Sequence, residues 1–207
     1  MTDQELARRV QGGSACAFEE LVYRYEQRIF AFASQFCRNR EDAREVTQDT
    51  FVKAWQAMSQ FDCQRDFAAW LFTIARHKAI DRCRAMPPHS ECSGQEPTDD
   101  RDPGRLLANR EEGEQLWRVA RRLLADNHYQ ALWLRYAEDM DLPQIAQVLG
   151  KTRVHIKVML FRARQTLSRE LRLVSPRGVS RATEAPGPRR VNSLFKLQPL
   201  ERQQEFL

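Results

Sequence analysis

The sequence has few of the features that mark secreted or membrane proteins. Its five cysteines form no C-x-x-C pair, and their odd number favours reduced thiols over a disulfide framework. No apolar run reaches the ~18 residues of a membrane helix. The N-terminal residues MTDQELARRV lack the apolar segment of a signal peptide. We therefore expect a cytoplasmic protein without membrane insertion.

Patterns typical of catalysis are missing as well. The four histidines are dispersed, and the sequence contains neither a phosphate-binding glycine loop nor a G-x-S-x-G motif. Cys83, His89 and Cys92 lie close together in sequence, but their spacing does not match a zinc site. The sequence thus predicts a protein without catalytic residues, metal or cofactor, which is not an enzyme.

Helical periodicity and positive charge are what the chain does contain. Hydrophobic residues make up 42% of its 207 residues, and the net charge of +5 favours a polyanionic partner such as nucleic acid. Apolar residues recur every three or four positions on both sides of an acidic, proline-rich stretch. We expect an all-α protein in which two small helical domains are joined by a flexible linker.

The segment 42–84 is predicted to form two helices joined by a short polar loop. The polar face of the first helix carries Glu45, Gln48 and Asp49 at spacings that make them neighbours; we call these three residues the acidic patch. The second helix is apolar at first and then basic. Its basic end consists of Arg76, Lys78, Arg82 and Arg84. Trp55 and Trp70 are assigned to the core, whereas Phe61 in the loop is either a core residue or a platform for a nucleic-acid base.

A helix-turn-helix pattern spans residues 142–165. Asp141 and Gln144 are suited to cap the first helix, and Gly150 is suited to a left-handed turn before the second. The N-terminal part of such a second helix enters the major groove. Candidates for base contacts are Arg153, His155 and Lys157. Arg162 and Arg164 are candidates for phosphate contacts.

Two motifs carry a family resemblance. The run EDAREVTQDTFVKAW, followed by F-x-x-WL-x-x-IAR, resembles region 2 of bacterial sigma factors of the extracytoplasmic-function (ECF) type in the sigma-70 family. The run LGKTRVHIKVMLFRAR resembles their region 4, whose usual pattern is LG-x-x-x-GTVKSR-x-x-RAR. Here Val154, His155, Val158 and Met159 replace Gly, Thr, Ser and Arg. The departure implies either an altered promoter sequence or a surface that a partner covers.

The resemblance implies a division of the chain and a role for each part. Region 2 corresponds to residues 1–84, the acidic linker to 85–105, region 4 to 106–173, and a largely disordered C-terminal extension to 174–207. Region 2 is expected to bind the clamp helices of the largest subunit of core RNA polymerase through the acidic patch. It is also expected to recognise and melt the −10 promoter element. The residues matched to that second task are Phe61, Asp62, Arg65, Arg76, Lys78, Arg82 and Arg84.

Region 4 is expected to read the −35 element of promoter DNA and to contact the polymerase flap, and an anti-sigma factor is a further expected partner. Two other functions remain open at this stage. One is a helix-turn-helix regulator that acts without polymerase. The other is a helical adaptor that binds protein through Val154, Val158 and Phe161. A further hypothesis is that the apolar tail 192–207 docks on the surface formed by Val154, Val158 and Phe161 or recruits another protein.

Overall fold

The computed structural model describes residues 1–37, 39–85 and 107–174, with no account of the side chains of 107–114 and 171–174. The chain divides into two compact units, Met1–Asp99 and Asp100–Leu207. All regular elements in the described ranges are helical, which confirms the predicted all-α class. The helices are α1 (Asp3–Gln11), α2 (Ala15–Ala33), α3 (Arg40–Ala57), α4 (Phe67–Ala85), α5 (Leu107–Leu123), α6 (Asp126–Tyr136), α7 (Leu142–Leu149) and α8 (Arg153–Val174). The predicted linker and C-terminal extension lie outside the described residues.

The helix ends form where side chains satisfy the free backbone N–H groups. Thr2 and Glu5 form a reciprocal capping box at α1, and the Asn39 side chain accepts from the Asp42 N–H at α3. Asp141 and Gln144 form a second capping box at α7. The cap at Asp141 and Gln144 confirms the predicted start of α7.

Aromatic packing between α2 and α4 builds the core of the first unit. The Tyr25 ring lies 5.5 Å from Phe67, and the Phe32 ring lies 5.2 Å from Phe72, both edge-to-face. The Tyr25 hydroxyl also donates to Asp3 at 2.5 Å, which ties α1 to this core. This core supports α4, and α3 packs beside α4 in the same unit.

The packing of Trp55 and Phe61 decides whether these two aromatic residues belong to the core. Trp55 is 47% exposed and contacts Phe18 edge-to-face, with 4.9 Å between ring centroids, so its assignment to the core is wrong. Helical spacing predicts that Trp55 points toward the core, but α2 does not extend far enough to cover it. Phe61 is 5% exposed and lies 4.6 Å from the Trp70 ring. Of the two roles considered for Phe61, the structure supports the core residue, because a buried ring is not open to a base.

The second unit packs α6, α7 and α8 around a small apolar core. Ile145 on α7 and Ile156 and Leu167 on α8 are fully buried, as the spacing predicts. Trp117 on α5 packs 4.9 Å from Trp133 on α6, which joins α5 to the group. The core fixes the orientation of α8, so that one face of this helix points to solvent.

Candidate nucleic-acid interface

The acidic patch lies exposed on α3. Its three residues, Glu45, Gln48 and Asp49, all point to solvent. An open groove between α2 and α3 runs beside Gln48, and its wall includes the exposed apolar side chains Val52 and Trp55. Sequence reasoning missed this groove, because it assigned Trp55 to the core and gave Val52 no role. The patch thus combines carboxylates with apolar area, as protein-binding surfaces do.

Cations of α4 reach across to the acidic patch. Arg82 Nη2 lies 2.7 Å from Glu45 Oε2, and Lys78 Nζ lies 3.6 Å from Asp49 Oδ2. The acidic patch and the basic end were predicted as separate surfaces of one hairpin. In the structure the two surfaces are adjacent and are joined by these ion pairs. Sequence reasoning missed the pairs because each one joins residues on two different helices.

Arg82 also holds a buried carboxylate. Its Nη2 lies 2.6 Å from Asp42 Oδ1 and its Nε donates to the same oxygen at 3.1 Å. Asp42 is 5% exposed, and among the described residues its second carboxylate oxygen has no hydrogen-bond partner. Hydrogen bonding to this carboxylate raises the pKa of Arg82, with Glu45 adding to the effect. Arg82 is therefore a structural residue as well as a DNA-contact candidate.

Replacing Arg82 with alanine is expected to lower the Tm of the protein by several degrees. The variant leaves the Asp42 charge buried without its partner, which is the costly way to break such a pair. Adding Asp42→Asn should recover part of the loss, because the amide removes the buried charge. Arg84→Ala, which changes an exposed arginine of the same turn, is the control and should leave the Tm unchanged. Thermal unfolding followed by circular dichroism measures all four proteins, and a double variant no more stable than Arg82→Ala alone would contradict this account.

The remaining cations of the basic end differ in exposure. Arg84 is exposed at the end of α4, whereas Arg76 is half-buried and burial lowers its pKa. An arginine stays charged under such a shift. All four cations lie on the C-terminal half of α4, where they are spaced along a single helix. Together they add positive charge to this half of the helix, which attracts a phosphate backbone.

The loop between α3 and α4 is a compact turn with a polar rim. It begins with a 3₁₀ turn, Met58–Gln60, and the Asp62 side chain accepts from the Gln64 N–H at 3.0 Å. Arg65 Nε lies 3.6 Å from Asp62 Oδ2, with both side chains largely exposed. Phe61 anchors the loop by packing into the core against Trp70. Asp62 and Arg65 are thus the predicted loop residues that face solvent.

Gln11 on α1 holds this loop from the other side. Its Nε2 donates to the Met58 carbonyl at 2.9 Å and to the Phe61 carbonyl at 2.7 Å. Its Oε1 accepts from the Cys63 thiol at 3.3 Å. No sequence signal pointed to Gln11, because its partners lie about fifty positions further along the chain. It is a positioning residue for the loop.

Replacing Gln11 with alanine is expected to lower stability by about 1–2 kcal/mol, since two hydrogen bonds to carbonyls are lost. If the loop contacts the −10 element, as the family resemblance implies, the variant should also distinguish single-base changes in that element less well, because the loop loses its fixed backbone. Gln4→Ala on the same helix is the matched control. Tm and the selectivity among single-base promoter variants are the two readouts. An unchanged selectivity would show that the loop holds its shape without Gln11.

The second unit contains the predicted helix-turn-helix. Gly150 ends α7 with φ 61°, a left-handed conformation that favours glycine, and the Thr152 hydroxyl accepts from the His155 N–H at 3.2 Å to start α8. The buried face of α8 holds Ile156 and Ala163 against the unit's core. The turn and the two helices match the prediction for residues 142–165.

Most predicted contact residues on α8 are exposed. The exposed ones are Arg153, His155, Lys157 and Arg162. Arg164 is half-buried, and its Nε donates to the Leu160 carbonyl at 3.2 Å. Burial lowers the pKa of His128 on α6, and the neighbouring Arg162 and His155 side chains lower it further. The exposed Arg153, Lys157 and Arg162 give this surface of α8 a positive potential, which attracts anions.

The described ranges contain no group of three or more His, Cys, Asp or Glu side chains that could hold a metal ion. In the same ranges no helix is long and apolar enough to span a bilayer. The described cysteines Cys16, Cys37, Cys63 and Cys83 are free thiols. The described surface therefore presents charged groups and exposed apolar side chains to binding partners.

Comparison with known families matches both units. A family model described as Sigma-70 region 2 matches residues 21–86, and one described as Sigma-70, region 4 matches residues 129–167. RNA polymerase sigma factor CnrH of Cupriavidus metallidurans is 33% identical over 176 residues, which are 80% of this chain and 92% of the relative. RNA polymerase sigma-H factor of Pseudomonas aeruginosa is 29% identical over 181 residues, 82% of this chain and 93% of the relative.

Solved structures show the same fold. The structure of CnrH in complex with the cytosolic domain of CnrY matches with a TM-score of 0.60 and 30% identity, covering 84% of this chain and 99% of that chain. The sigma factor RpoE of Bartonella quintana, in complex with the anti-sigma factor NepR, matches with a TM-score of 0.56 at 21% identity, covering 75% and 97% of the two chains. The second likeness is one of fold alone.

Proposed function

The chain belongs to the sigma-70 family of RNA polymerase sigma factors, as a member of the ECF type, and we propose a division of its task among the surfaces described above. As a sigma factor it binds core RNA polymerase and promoter DNA and directs promoter-specific transcription initiation. The observation that carries this function is the match of both units, in order, to regions 2 and 4. This order disfavours a regulator that acts without polymerase and an adaptor that does not bind DNA.

The acidic patch is the proposed contact with core polymerase. Glu45, Gln48 and Asp49 are exposed on a rigid helix, beside the apolar wall formed by Val52 and Trp55. Carboxylates of this kind form their strongest contacts with arginines, which pair with them through two hydrogen bonds. The occupant we propose is the pair of clamp helices of the largest subunit. The intramolecular pairs with Arg82 and Lys78 orient the two carboxylates before binding.

The loop and the basic end form the proposed −10 site. Asp62 and Arg65 present polar groups to an unstacked base, while Phe61 supports the loop from the core. Opening a duplex costs a few kcal/mol for each base that leaves the stack, so the separated strand must be held. Arg76, Lys78, Arg82 and Arg84 are proposed to hold its phosphates. This assignment retains the predicted residues but changes the role of Phe61.

Helix α8 is the proposed −35 reader. Arg153, His155 and Lys157 lie exposed in its first two turns, which is the part of a recognition helix that meets base edges. Arg162 and Arg164 lie further along and are proposed to contact phosphates. Region 4 is also proposed to contact the polymerase flap. In this scheme residues 1–84 act as region 2 and residues 106–173 as region 4.

Other proposals follow from the family. The chemistry of RNA synthesis belongs to the polymerase, so this chain supplies recognition and not catalysis, and its site of action is the cytoplasm. An anti-sigma factor is a proposed regulatory partner, in line with the structure of CnrH in complex with the cytosolic domain of CnrY. Neither proposal requires a metal or a cofactor.

Binding to core polymerase tests the proposed function at its first step. The purified protein is mixed with bacterial core RNA polymerase and run on a size-exclusion column, and the expected result is co-elution in a one-to-one complex that survives moderate salt. The same complex should then retain a promoter fragment that core alone releases. A protein that elutes apart from core at every salt concentration would contradict the proposal.

A further inference from the structure

Three large apolar side chains lie exposed along α8. Val154, Val158 and Phe161 are 71%, 40% and 61% exposed, at positions i, i+4 and i+7. We call them the apolar stripe. It begins in the first turn of the helix that we propose to read the −35 element. Exposed apolar residues that lie singly need no explanation, but a row of three on a recognition helix does.

The apolar stripe faces directly outward. At about 100° per residue its mean direction lies roughly 160° from that of the buried row Ile156, Leu160, Ala163 and Leu167. Arg153 and Lys157 flank the stripe on one side, and His155 and Arg162 flank it on the other. The part of α8 that would enter a groove most deeply is thus apolar, and the basic residues lie along its shoulders.

The charge around the stripe selects its partner. From Leu142 to Arg169 the sequence contains no aspartate or glutamate, whereas Lys151, Arg153 and Lys157 and three further arginines lie in this range. If a partner protein covered the stripe with an apolar face, these cations would surround the contact, and no acidic residue of this segment would neutralise them. The major groove of duplex DNA offers phosphates at both shoulders and base edges between them.

Resting on the proposed −35 role, we propose that the apolar stripe reads thymine methyl groups, with Val154 and Val158 as the specificity-determining residues and Phe161 extending the contact. The C5-methyl of thymine projects into the major groove and is the one apolar group that a base pair presents there. A valine that buries this methyl distinguishes thymine from cytosine without a hydrogen bond. The −35 element that this chain binds should then carry thymines at the positions that Val154 and Val158 contact. Polar side chains at these positions would instead select bases by hydrogen bonds.

Uracil substitution tests the proposal without changing the base pairs. Holoenzyme formed from this chain and core polymerase first selects duplexes from a random-sequence pool, and the −35 segment of the enriched sequence is identified. Each thymine of that segment is then replaced, one at a time, by deoxyuridine, which lacks only the methyl. At one or two positions the Kd of the wild-type holoenzyme should rise about three- to five-fold, the effect of losing one buried methyl.

The variants assign the effect to residues. Val154→Ala and Val158→Ala should each bind the thymine duplex more weakly by a similar factor and lose the difference between thymine and uracil at one position. Both positions are exposed, so their Tm should match that of the unaltered chain. Gln165→Ala, one turn beyond Phe161 on the same helix, is the matched control and should keep the full difference.

Three results would overturn the inference, and each has a different meaning. Equal affinity for every uracil duplex would overturn the inference while leaving promoter binding intact. If Val154→Ala and Val158→Ala weaken binding to core or to a protein partner but keep the uracil response, the stripe is a protein contact and the inference is wrong. If the holoenzyme enriches no sequence at all, promoter recognition itself fails, and this inference fails with it.

Discussion

Replacing Gln48 with alanine and Asp49 with arginine is expected to lower the affinity for core RNA polymerase by about 30-fold or more. Truncating one partner of a hydrogen-bonded charge pair costs about 2–5 kcal/mol when the pair is buried by binding, and a reversed charge adds repulsion. Asp49 is exposed and its contact with Lys78, at 3.6 Å, is long. The double variant therefore removes binding groups without removing a structural pair. Titration of labelled protein with core measures the Kd.

A charge-matched control separates this effect from the overall field of the protein. Glu19→Arg changes an exposed glutamate of α2 and shifts the net charge by the same amount as Asp49→Arg. It should leave the Kd for core within a factor of about two, as surface substitutions away from an interface do. If both variants lose affinity equally, the long-range charge and not the acidic patch governs binding. If neither loses affinity, the contact with core lies elsewhere.

Removing Arg153 and Lys157 together is expected to weaken promoter binding by the holoenzyme by about 10- to 100-fold. A good contact between a basic side chain and a base edge contributes roughly 1–3 kcal/mol, and both side chains are exposed at the start of α8. The Kd for a promoter fragment should therefore rise, while the Kd for core stays the same. Fluorescence anisotropy with labelled duplex gives the first value, and the titration above gives the second.

Salt dependence distinguishes base contacts from phosphate contacts in this pair. Each lost phosphate contact reduces the slope of log K against log salt by about 0.9, whereas a lost base contact changes sequence preference and leaves the slope nearly unchanged. Arg8→Ala with Arg122→Ala removes the same charge from exposed positions on α1 and α5 and is the control. A double variant at Arg153 and Lys157 that binds as tightly as this control would contradict the assignment of α8.

Helix boundaries were predictable because local side chains determine them. The capping boxes at Thr2 and Asp141 and the left-handed Gly150 each depend on residues within four positions. The buried face of α8 was also predictable, since a period near 3.6 identifies which residues point together. Ile156 and Leu167 are fully buried as this period requires. Local chemistry therefore carries most of the fold class.

Surface exposure was less predictable, because it depends on how far a neighbouring helix extends. Trp55 follows the apolar period of α3, yet it is 47% exposed beside Phe18 of α2. Phe61 lies in a polar loop, yet it is buried against Trp70. Periodicity gives the direction of a side chain along its own helix, but it does not give the width of the surface that another helix covers.

The contacts that connect distant parts of the site could not be read from sequence. Arg82 reaches Asp42 across forty positions, and Gln11 reaches the carbonyl of Phe61 across fifty. Each is an ordinary polar residue in an ordinary helix, so nothing in its own neighbourhood marks it. These residues hold the proposed −10 site in shape, which makes them the ones that a motif comparison overlooks.

Run-off transcription with purified core RNA polymerase tests the central claim most directly. Core alone and core with this chain are supplied with the same genomic DNA fragments of the source bacterium, and the transcripts are mapped to their start sites. The account predicts discrete new transcripts that appear only with the chain and share upstream −35 and −10 sequences. Transcripts with no shared upstream sequence, or none at all despite a stable complex with core, would contradict its role as a promoter-specific sigma factor.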